Sequence, residues 1–482
     1  MSVARRSIES VTWNAAASVV QILVGVVRSV LLARLLPVEV FGIYGMAMSI
    51  VRLSGIVANF GMGAAFLHRT PETEDEDEAA AVLLTLKVFF ASGWAVLLGL
   101  SALQFSAGSD FVALLTLTLV QWGVVLTEVP QMILVRRVAH RRLAFLQSAN
   151  LLASAGMAIF LAWRGVELWA LLSTDIITLL LSVFFLYVWR PVWRPRLTWS
   201  PDAMRYFLRF GSRNLVAQGL LKALDKVDDL WTGAYLGRTA LGFYSRAYSF
   251  ATYPRSILAS PINRVAGGTY AELAEQRRSL SQAFFRTNAF LVRTGFFLAG
   301  LLALVAPELI RLLLGTKWLP MLTAFRLMLV FTLFDPIKVT VANLFLAVGR
   351  PEEVVRARAV QFAVMGVGLF AFGPRLGIAG VALAVDIMSV VGIVLLLWQA
   401  RKYVDFSPWT LFAVPGGALI LGMVLARGAI MLPGILGSPW RTGSVKTIVF
   451  AIIYGLTLLV LERRQLLKMF SFFAKRVLAK SG

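Results

Sequence analysis

The sequence predicts an all-α polytopic membrane protein with about 14 transmembrane helices, and three observations carry that prediction. Of the 482 residues 59% are hydrophobic and 15% charged, with a mean hydropathy of +0.77; a soluble domain carries about 25% charged residues. Apolar runs of roughly 17–25 residues, long enough to cross a bilayer, follow one another without a long hydrophilic stretch between them. The chain also contains a faint copy of itself, offset by about 200 residues. Leu36-Pro37-Val38-Glu39-Val40-Phe41-Gly42-Ile43-Tyr44, running on to Ala47 and Ser49, lies against Leu236-Gly237-Arg238-Thr239-Ala240-Leu241-Gly242-Phe243-Tyr244, running on to Ala247 and Ser249. Asn14 falls opposite Asn214 in the same register.

The apolar runs fall at roughly 13–36, 39–67, 80–105, 111–135, 144–163, 168–189, 210–236, 240–265, 287–314, 321–347, 356–373, 377–400, 409–427 and 445–461. Six runs separate the two copies of the repeat, so equivalent helices enter the membrane from the same side. Parallel repeats of this kind build many secondary transporters, with the substrate held between the halves. The expected organisation is a six-helix N-terminal lobe over 1–200, a six-helix C-terminal lobe over 201–408, and two further helices with a basic tail over 409–482. The connection 190–209, rich in Pro, Arg and Trp, reads as an interfacial linker with Trp193 and Trp199 at headgroup level. Gly42, Gly61, Gly63, Gly242, Gly377 and Gly380 read as close helix contacts or hinges. The last two spans, almost free of charge at membrane depth, read as an appendage.

The ends and connections set the topology. Arg5 and Arg6 precede a first run too long for a signal-peptide core, so it reads as an uncleaved helix. The net charge of +22 is unevenly spread. One set of connections holds Arg136, Arg137, Arg141, Arg142, Arg190, Arg194, Arg196, Arg277, Arg278, Arg401 and Lys402, and the other far fewer. The ratio, roughly three to one, places both termini in the cytoplasm by the positive-inside rule. The basic charge then reports topology and anionic headgroups and argues against a nucleic-acid partner. The acidic stretch Glu72–Glu78 reads as a solvated loop whose carboxylates favour the start of the next helix.

Several chemistries are excluded. With no cysteine and only His68 and His140, there is neither a thiolate nor a histidine metal site, and no cofactor is expected. No Walker motif is present, which argues against direct use of ATP. No connection is long enough to hold a catalytic domain, so the chain is read as a transporter and not an enzyme.

Polar residues at membrane depth are the functional candidates, since an Arg or Lys at a helix centre costs roughly 2.5–3.5 kcal/mol on insertion scales. Asn14, Gln21 and Arg28 share a face of the first span, Arg52 and Asn59 of the second, Gln121 and Glu128 of the fourth. The seventh carries Asn214, Gln218, Lys222, Asp225, Lys226, Asp228 and Asp229; later spans add Arg246, Arg255, Arg293, Arg326, Asp335 and Lys338. Asp175 and Asp386 stand alone in apolar spans, as proton sites or caps of an internal contact. Two readings stay open for the arginines: they face a polar interior between the lobes, or Arg28, Arg52 and Arg255 pair with Glu128, Asp225 or Asp335 and lock helices together. Asp228 and Asp229 are alternatively interfacial carboxylates, and Tyr44 and Tyr244 read as packing residues of the repeat.

Arg34-Leu35-Leu36-Pro37-x-x-x-Phe41-Gly42-x-Tyr44, followed by Asn59-Phe60-Gly61-Met62-Gly63-Ala64-Ala65, resembles the opening of bacterial polysaccharide exporters of the Wzx type. Those are oligosaccharide-lipid flippases of the MOP superfamily, which also holds the MATE extruders and the lipid II flippase. Asp225-x-x-Asp228, with Leu236-Gly237 and Leu241-Gly242-x-Tyr244-x-x-Ala247, looks like the second-lobe motif; where many members begin it with Arg or Lys and Asp, this chain has Lys222-Ala-Leu-Asp225-Lys226. The resemblance implies export of an undecaprenyl-diphosphate-linked repeat unit across the inner membrane by alternating access. It belongs to polysaccharide biosynthesis, of lipopolysaccharide or exopolysaccharide, beside a polymerase or export machinery. Arg28, Arg52, Arg255 and Lys222 are the expected contacts to the diphosphate or anionic sugar, because charge-assisted hydrogen bonds offset phosphate desolvation. Asn14, Gln21, Asn59, Gln121 and Asn214 are the expected sugar contacts, and Asp225, Asp228 and Asp335 the expected sites for a coupling H+ or Na+. A MATE-like organic-cation antiporter is the main rival, since it would share the architecture but favour carboxylates in its cavity. A glycan polymerase would need a large external catalytic loop, and a channel no duplication of this kind.

Overall fold

The computed structural model describes residues 21–68, 76–105, 107–137, 139–254, 259–431 and 438–478, and among them there are helices and no strands. In chain order they are α1 (21–35), α2 (Val38–Asn59), α3 (Gly63–His68), α4 (Glu76–Phe105), α5 (Gly108–Arg136), α6 (His140–Trp163), α7 (Glu167–Val183) and α8 (Pro201–Trp231). There follow α9 (Arg238–Pro254), α10 (Ser260–Glu272), α11 (Arg277–Leu309), α12 (Leu322–Ala347), α13 (Pro351–Leu376), α14 (Ile378–Ala400), α15 (Pro408–Ala429) and α16 (Pro439–Leu478). Eleven of the described helices are long and apolar enough to cross a membrane. The protein is an all-α, multi-pass membrane protein.

Three other expected spans are not among these: residues 13–20 of the first and 255–258 of the run 240–265 lie outside the described residues, and α8 carries charged residues mid-helix. The run 39–67 is divided. Phe60 and Gly61 both take positive φ (43° and 64°), and this left-handed turn stops α2 before α3 begins.

By packing, the chain forms two compact units, Met1–Gly242 and Phe243–Gly482. This division is distinct from the sequence repeat: α8, which opens the second copy, packs with α2 and α4 in the first unit. In that unit Ile43, Ala47, Val51, Trp94, Leu117, Val125 and Leu172 bury one core between α2, α4, α5 and α7. A second core gathers Met62, Phe66, Leu83, Ile133 and Phe207. Trp193, expected at the headgroups, is buried in this second core, whereas Trp199 is exposed. The Thr198 amide donates to Thr85 Oγ1 at 3.0 Å, so the linker is pinned onto α4. Of the acidic stretch, Glu76, Asp77 and Glu78 form the first turn of α4, and Glu76 pairs with Arg137 at 2.7 Å.

The repeat glycines meet at one crossing. A methyl group on Gly42 would overlap the carbonyl of Arg238, and one on Gly242 would overlap the carbonyl of Val38. Arg238 also pairs with Asp110 and reaches Glu39 at 3.7 Å. Gly63 and Gly380 are close contacts as well, against the Met132 side chain and the Phe372 carbonyl.

Two of the prolines inside helices are compensated from a neighbouring segment. Pro130 in α5 has no N–H, which strands the carbonyl of Leu126 one turn back. The Tyr187 hydroxyl, just beyond α7, donates to that carbonyl. Pro307 in α11 strands Ala303 likewise, and Arg326 Nε of α12 donates to it at 3.1 Å. Without water in the hydrocarbon, a side chain from a neighbouring helix is the substitute donor.

In the second unit α12 packs on α11 and α14, α13 on α14, and α16 on α11 and α15. α16 is no loose appendage. Lys446 Nζ donates to Glu308 Oε1 at 2.6 Å, and Arg293 forks onto Glu462 at 2.7 and 2.6 Å, with both side chains only 4% exposed. Two buried ion pairs therefore bind α16 to α11.

Candidate functional site

Within the first unit, charged side chains from α1, α2, α4, α5, α7 and α8 form a polar cluster at membrane depth. Its centre is Lys87 of α4, 1% exposed and the one charge in that helix beyond its acidic first turn. The ammonium donates to Asn59 Oδ1 at 2.8 Å and to the carboxylate of Glu128. Burying a lone ammonium costs several kcal/mol, and this paired arrangement offsets it. α2 delivers Asn59 at its C-terminal end and α5 delivers Glu128 two residues before Pro130.

Around that core the cations outnumber the carboxylates. Half-buried Lys222 of α8 is within electrostatic reach of Glu128, Arg52 and Lys87. Arg52 and Arg28 both act on the carboxylate of Asp175 in α7, which accepts a 2.7 Å hydrogen bond from the Tyr44 hydroxyl. Along α8, Lys226 pairs with Asp229 at 2.7 Å, and Ser49 donates to the same carboxylate at 3.2 Å. Four cations, Arg28, Arg52, Lys87 and Lys222, thus share two carboxylates, Glu128 and Asp175. Lys87 is held in place by its two bonds, while Arg28, Arg52 and Lys222 stand within electrostatic reach of the two carboxylates.

The expected residues divide as follows. Arg28, Arg52, Lys222 and Asn59 lie in the cluster, while Gln21 and Gln121 are half-buried on α1 and α5. Arg255 and Asn14 lie outside the described residues, as does the side chain of Asn214. On α8, Asp225 is exposed and Asp228 buried. Asp335 is buried in α12 and pairs with Lys338 at 3.0 Å. Asp386 is buried in α14, and Tyr244 is fully buried. Two sequence readings change. Glu128 takes Lys87 as its ion-pair partner, and Tyr44, bonded to Asp175, is a polar member of the cluster as well as a packing residue; Asp175 caps an internal contact, one of the two readings open to it. Sequence reasoning missed Lys87, although a single charge inside an apolar run was the same signal that picked out Asp175 and Asp386.

The chain as a whole is similar to several known proteins. The chain is 23% identical over 409 residues to the lipopolysaccharide biosynthesis protein WzxC of Escherichia coli (strain K12), covering 82% of this chain and 81% of that protein. It is 21% identical over 402 residues to the teichuronic acid biosynthesis protein TuaB of Bacillus subtilis (strain 168), covering 82% and 83%. To the succinoglycan biosynthesis transport protein ExoT of Rhizobium meliloti (strain 1021) it is 26% identical over 298 residues, covering 60% and 58%. In fold it is similar to the lipid II flippase MurJ in an inward closed conformation, with a TM-score of 0.74 at 15% identity over 95% of this chain and 100% of that one. An inward-facing MATE family multidrug resistance transporter of the MOP superfamily follows at 0.61, with 18% identity over 81% and 98%. The family described as polysaccharide biosynthesis protein matches residues 31–323, more than half of the sequence, and the chain belongs to that family.

Proposed function

We propose that the protein is a lipid-linked oligosaccharide flippase that moves undecaprenyl-diphosphate-linked repeat units across the inner membrane by alternating access. The observation that carries the reading is the cationic surplus of the first unit, with Arg28, Arg52, Lys87 and Lys222 set against Glu128 and Asp175. A diphosphate needs such a surplus, because each charge-assisted hydrogen bond recovers roughly 1.5–3 kcal/mol of its desolvation. Arg28, Arg52 and Lys222, together with Arg255, hold the diphosphate or an anionic sugar. Asn59, Gln21 and Gln121, with Asn14 and Asn214, contact neutral sugar. Lys87 holds Asn59 and Glu128 in place. The repeat supplies the lobes, 1–200 and 201–408, which rock around the substrate, and 409–482 adds two helices. Asp225, Asp228 and Asp335 are the candidates for coupling to H+ or Na+. Both termini lie in the cytoplasm, and a polymerase or export machinery takes the product.

The test is reconstitution in liposomes with an accessible lipid-linked oligosaccharide, comparing wild type with Arg28→Ala, Arg52→Ala and Lys222→Gln. Each variant is expected to weaken apparent substrate affinity about tenfold or more, at unchanged melting temperature. Full translocation in all three would remove the cluster from the substrate path. A MATE-like organic-cation antiporter is the second reading, favoured by the buried carboxylates of Asp228 and Asp229. Movement of organic cations in preference to the lipid-linked sugar would establish it instead.

A further inference from the structure

Asp386 is the one ionisable residue of α14, and the uncharged stretch Ile378–Val385 precedes it. At 1.5 Å per residue it stands about 12 Å into the helix, inside a hydrocarbon core about 30 Å thick. Its side chain is 5% exposed, and among the described residues neither carboxylate oxygen has a hydrogen-bond partner. The backbone of Phe331 in α12 approaches it, short of hydrogen-bond geometry.

Other buried carboxylates are treated differently. Asp229 pairs with Lys226, Glu308 with Lys446, Asp335 with Lys338 and Glu462 with Arg293. A buried charge in this protein is thus matched by a cation, and Asp386 breaks that pattern.

The helices packed on α14 do not supply the missing charge. On α12, Asp335 and Lys338 bond each other at 3.0 Å, with Lys338 Nζ 5.3 Å from the centre of the Phe331 ring, and Arg326 is turned to the Ala303 carbonyl. α13 has no charged residue between Arg358 and Arg375; at this level it presents Gln361, whose amide nitrogen lies 3.5 Å from the Met388 carbonyl. Among the described residues none of these charges acts on Asp386.

An ionised carboxylate with neither cation nor donor costs far more to bury than the neutral acid, so such a group takes up a proton. A metal cation would neutralise it too, but hard cations take about six oxygens. Asp386 and Ser389, one turn apart on α14 and both buried, offer three unpartnered oxygens. We infer that Asp386 is a proton-binding site, which holds the neutral acid while α12, α13 and α14 are packed together and releases the proton when water reaches it. The proton is taken from hydronium and returned to water, and no other group changes. The site is distinct from Asp225, Asp228 and Asp335, and it stands whatever the cargo.

The test is infrared spectroscopy of the full-length purified protein in neutral detergent at pH 7, where ordinary aspartates, titrating near 3.9, are ionised. A protonated carboxyl shows a carbonyl stretch that an ionised one lacks. Wild type is expected to show that band, Asp386→Asn to lose it and Asp335→Asn to keep it. Sodium chloride should leave the wild-type band unchanged. Identical wild-type and Asp386→Asn spectra overturn the assignment, because the carboxyl is then ionised. So does a band that sodium removes, which makes this a cation site, or an equal loss in Asp335→Asn. Should Asp386→Asn fail to fold, Asp386→Ser reads the same band.

Discussion

Gly42 and Gly242, equivalent positions of the internal repeat, pack reciprocally: each lies against the carbonyl of the first residue of the other's helix, Arg238 of α9 and Val38 of α2. The arrangement has local two-fold character, and neither site has room for a β-carbon. Because the obstacle is backbone on both sides, rotamer changes cannot relieve it. Gly42→Ala and Gly242→Ala are each expected to destabilise by about 1–3 kcal/mol, in the range of other overpacked sites. Gly99→Ala, in a helix with open space around it, should be neutral or slightly stabilising. Thermal unfolding of the three variants in one detergent checks the contrast.

Lys87 and Glu128 should behave as a coupled pair. Removing either one strands a charge in a buried site, at an expected cost of about 3–5 kcal/mol. Lys87→Met/Glu128→Gln should recover much of that loss, and a double-mutant cycle on melting temperature measures it. Independent, additive losses would mean that the two groups are separately solvated.

The compensation of Pro130 by Tyr187 yields a sharper cycle. Tyr187→Phe should cost roughly 1–3 kcal/mol, since the Leu126 carbonyl then loses its donor. In a Pro130→Ala background the helix supplies its own N–H, and the same Tyr187→Phe change should become nearly neutral. Equal effects in both backgrounds would refute the pairing.

The exposed Arg277–Asp405 pair sets a pH dependence outside the membrane. The hydrogen bond and charge of Arg277 hold the Asp405 carboxyl below its usual range. A lowered carboxyl pKa contributes stability above the unfolded value, near 3.9, and loses it as pH falls through the folded value. Wild type and Asp405→Asn should therefore differ in melting temperature at pH 7 and converge below about pH 4. A difference that persists in acid would assign the effect to packing.

Legibility in the sequence followed the strength of the local signal. Long apolar runs announced the helices, because lipid admits few other solutions for twenty apolar residues, and the motifs around Gly42 and Asn59 carried the resemblance to the family. Boundaries were harder where a turn depends on two φ angles, as at Phe60 and Gly61, or where polar residues prolong a helix past the bilayer, as in α11. Asn59, Glu128, Arg52 and Lys222 could be flagged by depth alone. Their partners could not: Lys87 stood alone in an apolar run with nothing to say which carboxylate it would meet, and Glu462, the partner of Arg293, falls just beyond the expected end of the last span. Pairing across helices is a tertiary property. Arg326 shows the converse, a charge that looked functional by depth and instead satisfies the carbonyl stranded by Pro307.

The fastening of α16 restricts how the second unit can rearrange. Arg293 and Glu308 are about 22 Å apart along α11, and their partners Glu462 and Lys446 about 24 Å apart along α16. Two rivets at matched spacing on antiparallel rods forbid sliding by a helical turn, because both would have to shear at once. During any working stroke these two helices must travel as a single beam, and cross-linking them should leave the transport cycle intact.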